Sequence, residues 1–297
     1  ALVMKTEPGW HGYWQNPGDA GVATQIAWTL PSGASAGPLR YPLPRRLLIA
    51  GLMNYVYEGD HTLLTDLRVP AGLKAGTPLP IRAHMRWLAC TDRICVPEQG
   101  DVALDLVIGD GAVTPATRAA FDRYRAALPR PLGSPAAFQI AGDRMRLAIP
   151  LPASVALADP YFYPLTDGAF DYGAPQSASR TGDTLIIEGK AARPASPLSR
   201  IEGVIGIGDG AALAITATPG AVPPAGTPVA SESSAKGGMA AILLALGGAI
   251  LGGLILNGMP CVFPILSLKA LSLARAGGEE KAARREALAY TGGTIAV

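Results

Sequence analysis

The chain has 297 residues, of which 49% are hydrophobic and only 16% are charged, and its formal net charge is +2. A chain of this length is expected to hold two or three folded units. The near-neutral balance gives no basic footprint, so no nucleic-acid partner is expected. Three cysteines are too few to frame a small disulfide-rich protein, and their odd number leaves at least one without an intrachain partner.

The N-terminal part of the chain has the pattern of a β protein. Up to about residue 110, short apolar runs alternate with turn sequences such as NPGDAG, LPSGASAG and YEGD, which is typical of a β-sandwich. A short helix is predicted over 114–128, because Thr114 can cap it and Pro115 suits its first turn. We therefore expect a first sandwich module over residues 1–112.

A second strand-rich segment follows. Met145, Leu147 and Ile149 recur at every second position of DRMRLAIP, and DTLIIEG and VIGIGDGAALAITA are predicted as further strands. The segment contains no cysteine. Residues 113–217 are predicted to form a second β-sandwich module, led by the short helix, with a positioning or partner-binding role.

The C-terminal part has the composition of a membrane segment. Residues 218–238 are rich in Pro, Gly and Ser and are predicted to be a linker. The uncharged run from Met239 to Leu256 would span about 27 Å as a helix, close to the hydrocarbon thickness of a bilayer. Residues 239–297 are therefore predicted to be the truncated start of a transmembrane α-helical domain, in contact with lipid. Its orientation follows from the basic residues, since only Lys236 precedes the apolar run and Lys269, Arg275, Lys281, Arg284 and Arg285 follow it; residues 1–236 should lie outside the cytoplasm.

Two cysteines lie in WLACTDRICVPEQG, residues 87–100, which is predicted to be a β-hairpin. A loop of TDRI would place Cys90 and Cys95 opposite each other, where Cα atoms are roughly 4.5–5.5 Å apart, within the range of a disulfide. Alternation along both strands puts both thiols on the polar face. Pro97 and Gly100 are compatible with a β-bulge, which would change the face of the second strand on which Cys95 lies.

The residues alone leave the role of this pair open. As a structural bridge it would close a loop of only about six residues and stabilise the fold by roughly 2 kcal/mol. As a redox pair it would use sulfurs that an attacking thiolate can reach. A metal site is a third alternative, although the histidines form no ligand motif with the cysteines. Arg93 and Glu98 are close enough in sequence to tune the thiol pKa values, and are otherwise part of a solvated loop.

The aromatic segment PGWHGYW near the N-terminus has a structural interpretation. Trp10, Tyr13 and Trp14 are expected to pack in the core and at the edge of the first module. His11 is expected to be a structural histidine rather than a catalytic base.

The third cysteine lies in NGMPCVFPILSLK, where Pro260 and Pro264 bracket Cys261. Two prolines should break or kink a membrane helix at this point. Broken helices at membrane depth line cavities, and in transporters they mark the working site. Cys261 is therefore a candidate functional residue, the alternative being a silent cysteine at the end of a helix.

Four segments in this order, PGWHGYWQNPGDAG (8–21), NYVYEG (54–59), CTDRICVPE (90–98) and NGMPCVFPILSLK (257–269), resemble the DsbD/ScsB family of thiol:disulfide interchange proteins. The resemblance implies a periplasmic immunoglobulin-like redox domain followed by a multi-pass domain in the bacterial inner membrane. It further implies that reducing equivalents pass from cytoplasmic thioredoxin through membrane cysteines to a C-terminal thioredoxin-like domain. That domain reduces the N-terminal domain, which reduces disulfide-bearing proteins of the periplasm.

The family roles are carried over by position. Cys90 and Cys95 match the redox pair, with Cys95 as the attacking residue, and Cys261 matches the first of two membrane cysteines. The resemblance also implies a cap loop whose aromatic residue, Tyr55 or Tyr57, shields the pair. No cofactor or metal is implied beyond the redox cysteines.

The second membrane cysteine and the thioredoxin-like domain of the family pattern are missing from the chain. Two other functions are compatible with the sequence. One is a membrane-anchored binding module with a structural disulfide. The other is metal handling, since ScsB-like systems are associated with copper tolerance.

Overall fold

The computed structural model describes residues 1–192, 197–229 and 246–253. Ala1–Ser233 form one compact unit and Ser234–Val297 a second. The described part of the first unit is mainly β, with one helix, as the sequence pattern predicts.

The N-terminal strands of the first unit form several small antiparallel sheets. Their bounds are β1 (Leu2–Met4), β2 (Gly12–Gly18), β3 (Gln25–Thr29), β4 (Ser35–Ala36), β5 (Arg45–Ile49), β6 (Leu52–Tyr57), β7 (His61–Leu63), β8 (Leu67–Arg68), β9 (Pro78–Cys90) and β10 (Cys95–Val107). Two three-stranded sheets have the orders β10-β9-β3 and β2-β6-β5, and β1-β7 and β4-β8 are two-stranded. In the long hairpin β9–β10, β9 keeps a period of two, which buries Ile81, Ala83 and Met85 and exposes Arg82 and His84.

A helix, α1 (Pro115–Ala126), follows the hairpin and confirms the prediction for this segment. The Thr114 side chain accepts a hydrogen bond from the backbone N–H of Thr117 at 3.1 Å, which satisfies one of the free donors at the helix start. Pro115 occupies the first turn, where its missing N–H costs no hydrogen bond.

The C-terminal strands of the first unit are joined in one nine-stranded sheet. Their bounds are β11 (Arg130–Pro131), β12 (Ala136–Ala141), β13 (Arg144–Pro150), β14 (Tyr161–Pro164), β15 (Ser177–Thr181), β16 (Thr184–Lys190), β17 (Ile201–Gly208), β18 (Ala211–Pro219) and β19 (Thr227–Pro228). The order is β14-β17-β18-β12-β13-β16-β15-β19, and β11 also pairs with β18. Phe162 on β14 and Ile187 on β16, far apart in this order, lie in one buried cluster, so the sheet curls around a common core. The parallel pairing of β12 with β18 joins the β14-β17-β18 strands to the β12-β13-β16-β15 strands.

An aromatic cluster joins the two groups of strands. Trp14 on β2 meets Tyr163 on β14 edge to face, with ring centroids 6.0 Å apart. The Tyr55 and Tyr161 hydroxyls are hydrogen-bonded at 3.1 Å. Burial raises the pKa of Tyr163 to about 12. These rings are not accessible for chemistry and serve to hold the β2–β6 sheet against β14 and β17.

The predicted membrane segment lies largely outside the described residues. Within it, residues 246–253 are helical. No helix in the described ranges is both long enough and apolar enough to cross a bilayer. Cys261 and the end of the predicted linker also lie outside the described residues.

Candidate functional site

The two cysteines of the hairpin form a disulfide at its tip. Cys90 is the last residue of β9 and Cys95 the first of β10, and they face each other in the antiparallel register. Their sulfurs are bonded, and their Cα atoms are 4.1 Å apart. The predicted opposition of the two residues is therefore confirmed. The register continues without a shift to Val107, so no bulge occurs at Pro97 or Gly100.

The loop between the cysteines is held by Thr91. Its backbone N–H donates to the carbonyl of Ile94 at 2.8 Å. Its Oγ1 accepts from the backbone N–H groups of Arg93 and Ile94, each at 3.1 Å. A short loop tied at both ends fixes the two cysteines in register, and it leaves the Ile94 side chain 55% exposed beside them.

The two sulfur-bearing residues differ sharply in exposure. Cys95 is exposed, whereas Cys90 is only 1% exposed. The prediction that both thiols lie on an exposed polar face is therefore wrong for Cys90. The reason is tertiary: the start of β2 covers the end of β9, and the backbones of His11 and Cys90 exchange hydrogen bonds of 2.8 and 3.0 Å.

The side chains around Cys90 are apolar. Tyr13 and Val56 are buried with it, and Leu47 and Leu88 pack against them. Tyr13 is held by a close backbone approach, because a Cβ added at Gly21 would lie 2.1 Å from Cε1 of the ring. Burial raises the pKa of the Tyr13 hydroxyl. The aromatic ring packed with Cys90 is thus that of Tyr13, which the sequence pattern indicated only as a core residue.

Gly21→Ala should destabilise the protein by about 2–4 kcal/mol, because the new Cβ overlaps the Tyr13 ring and the backbone has φ +108°. Gly51→Ala is the matched control, since Gly51 also has a positive φ (+85°) but no atom within 4 Å of the added Cβ. It should cost only about 1–2 kcal/mol. Urea unfolding of both variants measures the difference, and equal losses would show that the Tyr13 ring yields without cost.

The two tyrosines expected to cap the pair lie elsewhere. Successive residues of β6 face opposite sides, so Val56 points to Cys90 while its neighbours Tyr55 and Tyr57 point away, into the aromatic cluster. The hydroxyl of Tyr57 donates to the Pro42 carbonyl at 2.7 Å. Neither ring belongs to the cluster that contains Cys90.

Arg93 and Glu98 are the two charged residues that the sequence places close enough to tune the thiol pKa values. Arg93 lies 3.8 Å from Asp92, and both side chains are largely exposed, so this ion pair contributes little. Glu98 faces Trp87 across the hairpin. By alternation it lies on the opposite face from Cys95, where it lines a cavity of about 280 Å³ together with Trp87 and Ala89. In the described part of the chain, no group of three or more His, Cys, Asp or Glu side chains is placed to hold a metal ion.

His11 is deeply buried. It is 3% exposed, and its ring meets that of Tyr13 edge to face at 5.4 Å. Burial lowers the pKa of His11, and the negative charge of Glu58 opposes this effect. The i, i+2 spacing of His11 and Tyr13 shows that they share a strand face, but the sequence holds no signal that this face meets Cys90.

These features define a class of protein: a β-sandwich domain that carries a disulfide across the tip of a long hairpin, with one cysteine exposed and one buried. Residues 1–106 match the family described as thiol:disulfide interchange protein DsbD, N-terminal. The match covers about the N-terminal third of the chain, which in this part is similar to DsbD. The match ends one residue before the end of β10, so it contains the whole disulfide site.

A solved structure has the same overall fold. The N-terminal periplasmic domain of ScsB from Proteus mirabilis aligns with a TM-score of 0.55 and 17% identity, over 74% of this chain and 86% of that one. The structural alignment covers more of this chain than residues 1–106, so the similarity in fold extends into the C-terminal strands. No curated protein sequence matches the chain.

Proposed function

We propose that the chain exchanges disulfides with partner proteins through Cys90 and Cys95, reducing the partner. The observation that carries this proposal is the asymmetry of the pair: Cys95 is exposed at the hairpin tip, while Cys90 directly opposite is 1% exposed. A relay pair needs one sulfur that a partner can reach and a second that is held close to it. The match of residues 1–106 to the N-terminal part of a thiol:disulfide interchange protein supports the same function.

The reduced pair acts in two steps. The Cys95 thiolate attacks one sulfur of the partner's disulfide, forming a mixed disulfide and releasing the other partner sulfur as a thiolate. The Cys90 thiolate then attacks Cys95 Sγ, which re-forms the Cys90–Cys95 bond and releases the second partner sulfur. Two electrons pass from the pair to the partner, and the register that holds the two cysteines opposite each other makes the second step intramolecular.

The electrons for this reaction come, in our proposal, from cytoplasmic thioredoxin by way of a membrane domain that includes Cys261. A thioredoxin-like domain would re-reduce the pair. The site would then face the periplasm, with residues 1–236 outside the inner membrane. The support for this arrangement is the family match and the uncharged run that begins at Met239.

The reduction potential of the pair tests the proposal. In a Cys261→Ser background only Cys90 and Cys95 can respond, and equilibration with redox buffers should give a potential of about −200 to −270 mV. The same sample should exchange rapidly with a reduced thioredoxin-like domain, as followed by thiol trapping.

The control is the chain with Cys90, Cys95 and Cys261 all replaced by serine. The thiol-trapping reagent should not modify this chain. A potential below about −300 mV with no exchange would contradict the proposal. It would favour a binding module in which the disulfide is a permanent bridge.

A further inference from the structure

His11 lies directly opposite Cys90. Each backbone donates to the other, with N···O distances of 2.8 Å and 3.0 Å. Side chains at such an opposed pair project to the same face, with Cβ atoms roughly 5 Å apart. Tyr13 confirms which face this is, because its ring contacts the ring of His11 and lies in the cluster that contains Cys90. The imidazole is therefore a neighbour of the buried sulfur.

The imidazole also has an unused polar atom. His11 is 3% exposed, and its Nε2 is buried with no hydrogen-bond partner among the described residues. A buried polar atom without a partner is costly. The oxidised Cys90 sulfur has no proton to offer, whereas a reduced thiol at the same position carries an S–H donor.

We propose that His11 is the general base for Cys90: the His11 Nε2 accepts the Cys90 thiol proton once the disulfide is reduced. This inference rests on the proposed function, since it concerns the second step of exchange. Burial lowers the pKa of His11, which keeps the ring neutral and able to take a proton. Without such an acceptor, the apolar surroundings of Cys90 disfavour its thiolate.

The proton balance of the step is complete within the site and the partner. The proton leaves Cys90 Sγ for His11 Nε2, and the Cys90 thiolate attacks Cys95 Sγ in the mixed disulfide. The bond between Cys95 and the partner sulfur breaks, and the departing thiolate can take up the proton that His11 holds. Besides Tyr13 and Cys90, the charged or titratable groups around His11 are Glu58, whose charge raises the pKa of the ring, and Lys5, Glu7, His61 and Glu98, which line the same cavity.

The test is the reaction of the reduced chain, in a Cys261→Ser background, with dithiobis(nitrobenzoate). Attack by Cys95 releases the first thionitrobenzoate, and attack by Cys90 on the mixed disulfide releases the second. His11→Gln should slow the second release roughly ten- to a hundredfold at neutral pH and leave the first unchanged. In the parent chain, the rate of the second release should rise with pH and level off above the pKa of His11. In His11→Gln it should keep rising with pH toward the thiol pKa.

His61→Gln is the matched control, because His61 lines the same cavity and its pKa is also lowered by burial, but it stacks on Tyr57 instead of facing Cys90. It should change neither release. A folded His11→Gln chain with the parent's second rate and pH profile would overturn the inference while the proposed function stands. If the parent chain released no thionitrobenzoate, both would fail.

A second measurement needs no variant and applies if His11→Gln does not fold. The ring protons of His11 in the parent chain should titrate with different pKa values in the oxidised and reduced states, as followed by NMR, and those of His61 should not. Identical titration of His11 in the two states would overturn the inference.

Discussion

Cys95→Ser should abolish disulfide exchange, lowering its rate on the order of a thousandfold or more, because a serine hydroxyl cannot replace the attacking thiolate. Cys90→Ser should have a different result. Its exposed Cys95 can still attack a partner's disulfide, but nothing at position 90 can release the product. The mixed disulfide should therefore accumulate, as seen on a non-reducing gel with a disulfide-bearing protein as partner.

The pair of variants also tests the order of attack. The exposure of Cys95 and the burial of Cys90, at 1%, make Cys95 the residue that partners meet. Accumulation of mixed disulfide in Cys95→Ser instead of Cys90→Ser would reverse the assignment. Both variants lose the same disulfide, so each serves as the stability control of the other.

Trp14→Ala should destabilise the first compact unit by about 3–5 kcal/mol, as is usual for removal of a fully buried large aromatic side chain. Trp14 is 0% exposed, and its ring meets Tyr55 at 6.1 Å and Tyr163 at 6.0 Å. Since Tyr163 belongs to the C-terminal strands, the loss should weaken both groups of strands in a single unfolding transition. Urea unfolding followed by circular dichroism measures it.

Two further variants sharpen this result. Trp14→Phe should cost much less than Trp14→Ala, because it keeps part of the ring packing and removes the indole Nε1, which is buried without a partner among the described residues. Trp28→Ala removes a half-buried tryptophan of β3 and should also cost less. A cost below about 1 kcal/mol for Trp14→Ala, or two transitions of which only one shifts, would contradict the expected coupling.

Local features of the chain were predictable from sequence. The opposition of Cys90 and Cys95 follows from alternation and loop length, both of which act within a few residues. Helix α1 follows in the same way from Thr114 and Pro115. The match of residues 1–106 to the N-terminal part of DsbD was also predictable, because the segments that carry the resemblance include the cysteines and their loop.

The surroundings of the disulfide were not predictable from the same patterns. Alternation along β6 shows that Tyr55 and Tyr57 share one face and Val56 the other, but not which face meets the cysteines. The assignment of Tyr55 or Tyr57 as a shield came from the position of their segment. In the structure, Val56 and Tyr13 fill that place. The nine-stranded sheet could not be predicted from these patterns either, since β12 and β18 are distant in sequence and pair in parallel.

The sequence by itself determined that two cysteines face each other at a hairpin tip, because hydrogen-bond register in a hairpin is a local property. Only the tertiary structure decided that Cys95 is exposed while Cys90 is buried beside Tyr13 and opposite His11. That difference depends on how β2 packs over the end of β9, across a separation of more than seventy residues. Burial is a property of such long-range packing, and no short-range periodicity in the chain encodes it.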